Sequence, residues 1–291
     1  MDPLAVPNSS GTSRPRFQAP AQACDAHLHI YDRRFPMAFP HLRGTFDASV
    51  SDYRLLQKRI GTSRAVVVQP AAYGTDNNVT LAALRELGAD VARGIAVVHP
   101  SVRDEELQAM HAAGVRGLRF TQHDPNTAIT TPEMIEPLTR RVAELGWHVQ
   151  LHLRGEQIVE MAALVERLPG TIVIDHMGRI PHPEGIHHRA FALVRRWLEE
   201  GRTWVKLSGP YLESKMVSPR YADVARVARE YVRIAPGRLV WGSDWPHPTE
   251  RDTKPDDAVL FDLLQEWAGG EDERHRVLVE NPARLYGFGT R

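Results

Sequence analysis

The sequence predicts an α/β protein built as one (β/α)₈ TIM barrel, a single domain preceded by an N-terminal arm. Three observations carry that prediction. Short apolar, β-branched runs alternate with longer segments of helical period along the chain. The runs are continuously apolar rather than alternating, the mark of parallel strands covered on both faces. There are eight of them, each followed by a helical segment, in about 270 residues, which is the count of a closed barrel rather than of an open doubly wound sheet.

Residues 1–22 carry Pro3, Pro7, Pro15 and Pro20 around Asn8, Ser9, Ser10, Gly11, Thr12 and Ser13, which is turn and linker chemistry without periodicity. They read as an arm, either laid on the body or disordered, and residues 23–291 as the barrel. Strands are expected at 24–30, 65–69, 94–98, 117–120, 148–153, 171–175, 204–207 and 239–242. Helices are expected near 49–60, 77–88, 103–113, 132–145, 155–168, 187–200, 217–235 and 256–268, with a ninth near 272–280. Leu81, Leu84 and Leu87 stripe the second helix, with Asp76 and Asn77 available to cap its start.

Composition narrows the function. The 36 Lys+Arg residues balance 36 Asp+Glu, which excludes a polybasic chain built to neutralise nucleic-acid phosphates. With 42% hydrophobic residues the chain can bury a large core, and no uncharged apolar run reaches the length of a bilayer span, so no membrane role is expected. One cysteine, Cys24, excludes an internal disulfide framework and a cysteine-based zinc cluster, and reads as a cytoplasmic chain in a reducing compartment. No glycine fingerprint follows a strand and no Gly-x-Ser-x-Gly elbow occurs, so neither a nicotinamide enzyme nor a serine hydrolase is supported.

In a barrel of this kind the chemistry sits at the carboxyl ends of the strands. The first strand reads Asp25-Ala26-His27-Leu28-His29, and residues two apart on a strand share a face about 7 Å apart, so His27 and His29 point to one side. Two imidazoles aimed into a confined site suit a metal centre or an electrophilic pocket, or else a pair of core histidines. The fifth strand adds His152, the sixth ends in Asp175-His176, and the eighth ends in Gly242-Ser243-Asp244-Trp245-Pro246-His247. An Asp at a strand end suits a general base or a ligand, which fits Asp244, whereas Asp175 reads as a group that orients a neighbour. Arg119 within the fourth strand and Arg179 after the sixth suit a bidentate grip on a carboxylate, or a structural ion pair. The stretch from Tyr31 to Phe46, with Phe35, Pro36, Phe39, Pro40 and His41, suits a segment that covers a substrate, or packing against the arm.

Several motifs, in this order and spacing, resemble one family. They are His27-Leu28-His29, Val68-Gln69-Pro70 with Gly74-Thr75-Asp76-Asn77, Gly117-Leu118-Arg119-Phe120, Ile174-Asp175-His176-Met177-Gly178-Arg179, Val240-Trp241-Gly242-Ser243-Asp244-Trp245-Pro246-His247-Pro248 and Asn281-Pro282-Ala283-Arg284-Leu285-Tyr286. Together they are similar to the amidohydrolases, in particular to the 2-pyrone-4,6-dicarboxylate lactonase group, which also holds sulfomuconolactone and sugar-lactone hydrolases. The resemblance runs from about residue 23 to 288. It implies a lactonase in which His27, His29 and His176 polarise the lactone carbonyl and Asp244 activates the attacking water. It further suggests Arg119 and Arg179 as carboxylate holders, and Tyr211, His123 and Gln69 are expected beside them as substrate contacts.

Two departures accompany it. The dicarboxylate enzymes carry further arginines after strands four and seven, where this chain has Thr121-Gln122-His123-Asp124 and Ser208-Gly209-Pro210-Tyr211-Leu212. That speaks against a second carboxylate on the substrate. They also have a tyrosine on strand five where this chain has His152, which completes a set of His27, His29, His152, His176 and Asp244 for one divalent ion, zinc or manganese, although the group is known both with and without metal. The expected partner is a small anionic lactone, with assembly into a homo-oligomer left open. Two other readings stand beside this one: a metal-dependent non-oxidative decarboxylase of an unsaturated or aromatic acid, and a barrel that binds a small acid without catalysis. Decarboxylases of this kind usually carry Glu-x-His or an additional signature near the N-terminus, where this strand reads Asp25-Ala26-His27-Leu28-His29, and a non-catalytic barrel would show a degraded cluster.

Overall fold

A computed structural model of the chain describes residues 2–39, 41, 47–124, 128–216 and 221–289. Eight parallel strands form one sheet in sequential order: β1 (Cys24–Leu28), β2 (Arg64–Val68), β3 (Ala92–Ala96), β4 (Val115–Thr121), β5 (His148–His152), β6 (Ile172–Ile174), β7 (Thr203–Leu207) and β8 (Leu239–Trp241). Nearly every residue in them is buried, as expected for strands with side chains on the inside and helices outside. Main-chain bonds bring the eighth strand's end back to the first: Asp244 N–H donates to the His27 carbonyl and His29 N–H to the Trp245 carbonyl, both at 2.8 Å. The expected eight-stranded barrel is therefore the observed fold.

The outer helices are α1 (Val50–Ile60), α2 (Asn78–Leu87), α3 (Asp104–Ala112), α4 (Pro132–Ala143), α5 (Gly155–Glu160), α6 (Ala162–Arg167), α7 (Arg189–Glu199), α8 (Ala222–Ile234), α9 (Asp257–Trp267), α10 (Glu271–His275) and α11 (Asn281–Tyr286). Local sequence explains some of the ends. Ser49 and Asp52 form a capping box at the start of α1, and Gly61 ends it at φ 84°, where glycine has no steric penalty. Helix α7 buries Ala190, Phe191, Val194, Trp197 and Leu198, one stripe of a 3.6-residue period.

Three expectations shift. The helix expected at 155–168 breaks at Met161 into α5 and α6. The last helical segment does not stop near 280; a π turn over Arg276–Glu280 joins α10 to α11, where Pro282 falls in the first turn and its missing N–H costs nothing. At α2 the Asp76 carboxylate accepts from Asn78 N–H at 3.0 Å, while Asn77 turns away to bond both the N–H and the carbonyl of Val97. Residues 217–220 of the helix expected at 217–235 lie outside the described residues, as do Pro40 and 42–46 of the aromatic stretch.

The N-terminal residues lie along α1 and α9. Trp245 Nε1 donates to the Pro7 carbonyl at 2.9 Å, Arg59 holds the Ser13 carbonyl at 3.0 Å and pairs with Asp256, and Phe17 stacks on Phe261 at 4.6 Å. The opposite end of the barrel is closed by the C-terminal segment, where Phe288 sits under the guanidinium groups of Arg93 and Arg64 at 4.6 and 5.1 Å. Among the described residues no helix is long and apolar enough to cross a membrane.

One glycine permits the β1–β8 approach. A Cβ on Gly242 would lie 2.5 Å from His27 Cβ and 2.8 Å from its backbone nitrogen, whereas one on Gly269 would meet nothing within 4 Å. Gly242→Ala is expected to lower stability by about 1–3 kcal/mol in urea unfolding, and Gly269→Ala to stay within about 0.5 kcal/mol of the parent. Equal midpoints for the two variants would show that the approach tolerates a methyl group.

Candidate active site

The strand ends gather the polar residues into one mouth. From β1, His27 and His29 enter with their Nε2 atoms 3.3 Å apart. The Asp244 carboxylate, just past β8, places Oδ1 3.6 Å from His27 Nε2, 3.5 Å from His29 Nε2 and 4.0 Å from His176 Nε2. Its Oδ2 accepts from the Tyr211 hydroxyl at 2.7 Å, and that hydroxyl also lies 2.9 Å from His247 Nδ1. A cavity of about 340 Å³ opens over this cluster, with His29, Arg119, His123, His152, His176 and Asp244 in its wall.

One backbone carbonyl and three side chains set the histidines. His29 Nδ1 is 2.9 Å from the Val68 carbonyl, which can only accept, so Nδ1 carries the proton and the Nε2 lone pair faces Asp244 and His27. His176 Nδ1 meets Ser208 Oγ at 2.9 Å. His27 Nδ1 lies between Lys206 Nζ at 3.2 Å and Asp175 Oδ1 at 3.4 Å. Burial keeps the His176 and His27 rings neutral: it pushes the His176 imidazole down to about 4, and with the Lys206 charge it holds His27 well below the ordinary range. Burial would raise the Asp244 carboxyl, but a proton carried by His176, His29 or His27 beside it favours the anion, and the group is held well below the usual carboxylate range.

These features fit a divalent ion. The ligand atoms of His27, His29 and Asp244 lie within 4.8 Å of one another, as do those of His27, Asp175 and His176. Four ligands about 2.0–2.1 Å from a tetrahedral ion stand about 3.3–3.4 Å apart, close to the 3.3, 3.5 and 3.6 Å found among His27, His29 and Asp244. No lysine or arginine is ion-paired with Asp244 among the described residues, so its charge has no fixed cationic partner.

Not every expected site residue has the expected setting. His152 joins neither ligand group. Its Nδ1 lies 3.0 Å from Arg119 Nη2, an obligate donor, so the proton of the neutral ring sits on Nε2, which is buried, without a hydrogen-bond partner, and presented as a donor rather than as a lone pair. Arg119 lines the cavity, but its Nε donates to Asp175 at 2.9 Å in a buried ion pair. Arg179 is outside the cavity wall and pairs with Glu213 at 2.6 Å in a narrow neighbouring crevice. Gln69 is fully engaged below the mouth, donating to the Asp76 carbonyl at 2.8 Å and accepting from Thr80 at 2.6 Å. His123 does line the cavity, stacked on His152 at 4.1 Å.

Sequence reasoning missed three groups. Lys206 is fully buried, donates to the Ala26 carbonyl at 2.9 Å and is pushed down by burial to about 8, with Asp175 opposing that shift. A lone cation inside the apolar run Trp204-Val205-Lys206-Leu207 was the available signal. Asp25 ties the first strand to the eighth through Ser243, and Arg251 lies on the cavity wall; neither residue type nor spacing marked them.

With this geometry in view, the chain belongs to the amidohydrolase family, whose model matches residues 24–288. It is 36% identical over 285 residues to a 2-pyrone-4,6-dicarboxylate hydrolase of Comamonas testosteroni, covering 94% of this chain and 93% of that protein. It is 34% identical over 278 residues to a 4-sulfomuconolactone hydrolase of Rhizobium radiobacter, covering 93% and 92%. An apo crystal structure of an Agrobacterium tumefaciens protein superimposes with a TM-score of 0.88 at 29% identity, over 98% of this chain and 99% of that one.

The depressed His176 pKa has a measurable consequence. An unfolded imidazole near 6.5 takes up its proton before the folded one near 4, so stability contributed by the neutral ring is complete above about pH 6.5 and falls as the pH drops toward 4. The expected loss over that window is roughly 3 kcal/mol, and His176→Asn should flatten this limb in denaturant midpoints taken between about pH 7 and about pH 4.5. An unchanged limb in the variant would assign the acid sensitivity to other groups.

Proposed function

We propose that this chain is a lactonase that opens an anionic lactone, of the muconolactone, sulfomuconolactone or pyrone-carboxylate kind, by attack of an activated water on the ester carbonyl. The observation that carries the reading is the buried Asp244 carboxylate on the cavity wall, ionised and held at one oxygen by Tyr211, with its other oxygen turned to the imidazoles of His27, His29 and His176. The names of the two relatives as lactone hydrolases support the same reaction class.

In this mechanism the ester carbonyl lies over His27, His29 and His176, and a water sits beside Asp244. Asp244 takes one proton of that water as its oxygen bonds to the carbonyl carbon. The tetrahedral adduct then collapses, the ring C–O bond breaks, and the departing oxygen receives a proton, from Asp244 or from solvent. Tyr211 keeps the carboxylate from rotating away, and the neutral His152 Nε2–H is placed to donate to a substrate oxygen. His27, His29, His176 and Asp244 would hold a divalent ion, zinc or manganese, which supplies carbonyl polarisation and a more acidic water.

Asp244→Asn should keep the fold and lose at least about a hundredfold in kcat on muconolactone. The comparison needs circular dichroism and a rate assay on the same preparations. A variant with near-normal kcat removes Asp244 from the role of base.

Zinc titration followed by calorimetry is expected to give about one ion per chain, with His27→Ala weakening it by at least about tenfold. Equal affinity in the variant would place the ion elsewhere.

A further inference from the structure

A carboxylate entering this cavity needs a positive charge that is not already neutralised, because the cavity already holds the Asp244 anion. The internal candidates do not provide one. Arg119 is balanced by Asp175 and Arg179 by Glu213 outside the wall. Lys206 lies beneath the histidines, fully buried, with its Nζ on the Ala26 carbonyl and His27 and 3.8 Å from Asp175. The rings of His123 and His152 are kept neutral by burial and offer hydrogen bonds rather than charge. Arg251 differs from all of these. It stands in the loop after β8, exposed, on the cavity wall with Thr249, and among the described residues it has neither an ion pair nor a hydrogen bond.

Resting on the lactonase reading, we infer that Arg251 is the specificity-determining cation of this site. It binds a single carboxylate carried on a side arm of the lactone, at the mouth, while the ring carbonyl points inward to Asp244. The opposite requirement, neutral polar recognition of the ring, is met by two buried atoms that have no protein partner: His123 Nδ1 and His152 Nε2. Their rings stack at 4.1 Å, and both residues line the cavity. One free guanidinium against two neutral donors or acceptors selects a monocarboxylate lactone with a further oxygen substituent, over a dicarboxylate. It also moves the anion grip from the fourth and sixth strands, where the sequence motifs place it, to the loop after the eighth.

The test compares muconolactone with its neutral carboxamide, which keeps the ring and removes the charge. In Arg251→Met the ratio of kcat/KM for the acid over the amide should fall about tenfold or more, chiefly through KM, and Arg251→Lys should retain part of the preference. An unchanged ratio in Arg251→Met overturns the assignment, as does a preference for the acid lost equally in Arg251→Lys and accompanied by unfolding in circular dichroism. Calorimetric binding of levulinate, a monocarboxylate with one further oxygen and no lactone to open, separates this inference from the reaction itself. Weaker levulinate binding in Arg251→Met supports the cation even where no lactone is opened by the parent protein, an outcome that would instead sink the lactonase reading. Equal binding by the two proteins, or none by either, overturns the role of Arg251.

Discussion

The site depends on one buried carboxylate that is not in the cavity. Asp25, fully buried on β1, accepts from Ser243 N–H at 2.9 Å, from Ser243 Oγ at 2.6 Å, from His27 N–H at 3.2 Å and from the Tyr53 hydroxyl at 3.2 Å. Burial pushes its pKa up to about 6, with the Ser243 bonds opposing the shift. These bonds fasten the end of the eighth strand to the first, and that is what sets Asp244 against His27 and His29. A sheet that closes on itself leaves no edge, so the register of this last joint decides which residues face one another across the mouth.

A second buried layer supports the histidines from below. Asp175 bonds Arg119 Nε at 2.9 Å and Gln150 Nε2 at 3.0 Å and lies within 3.8 Å of Lys206. Burial would raise this carboxyl, but Arg119, His27 and Lys206 outweigh it and hold it well below the usual range. Removing one member of such a group leaves another charge buried without compensation, which costs more than the contact itself contributes. The layer is therefore a constraint on the position of His27 and Arg119 before it is a source of stability.

Backbone geometry concentrates in the same place. His176, Met177 and Arg179 take positive φ values of 49°, 56° and 44°, and Asp244 and His247 follow at 62° and 55°. Left-handed backbone is unfavourable for residues with a Cβ, and here it turns the chain sharply at the ends of β6 and β8 so that side chains enter the mouth instead of continuing along the wall. The packing around them, fully buried and hydrogen-bonded, over-determines that conformation.

The sequence by itself determined the barrel, because apolar β-branched runs followed by helical periods are local patterns that survive without knowledge of neighbours. It also located His27, His29, His123, His152, His176 and Asp244 at the mouth, since strand ends can be counted along the chain and the barrel brings all of them together. What it did not determine was the state of each polar group. Arg119 and Arg179 look alike as motif arginines, yet Asp175 and Glu213 lie 56 and 34 residues away from them and claim their charge. The proton of His152 is placed by Arg119, 33 residues distant, and Gln69 is drawn out of the cavity by the turn that follows it. Partnership, tautomer and freedom to meet a ligand are properties of contacts between strands, and only the tertiary structure decides them because each depends on which distant group occupies the remaining hydrogen-bonding position.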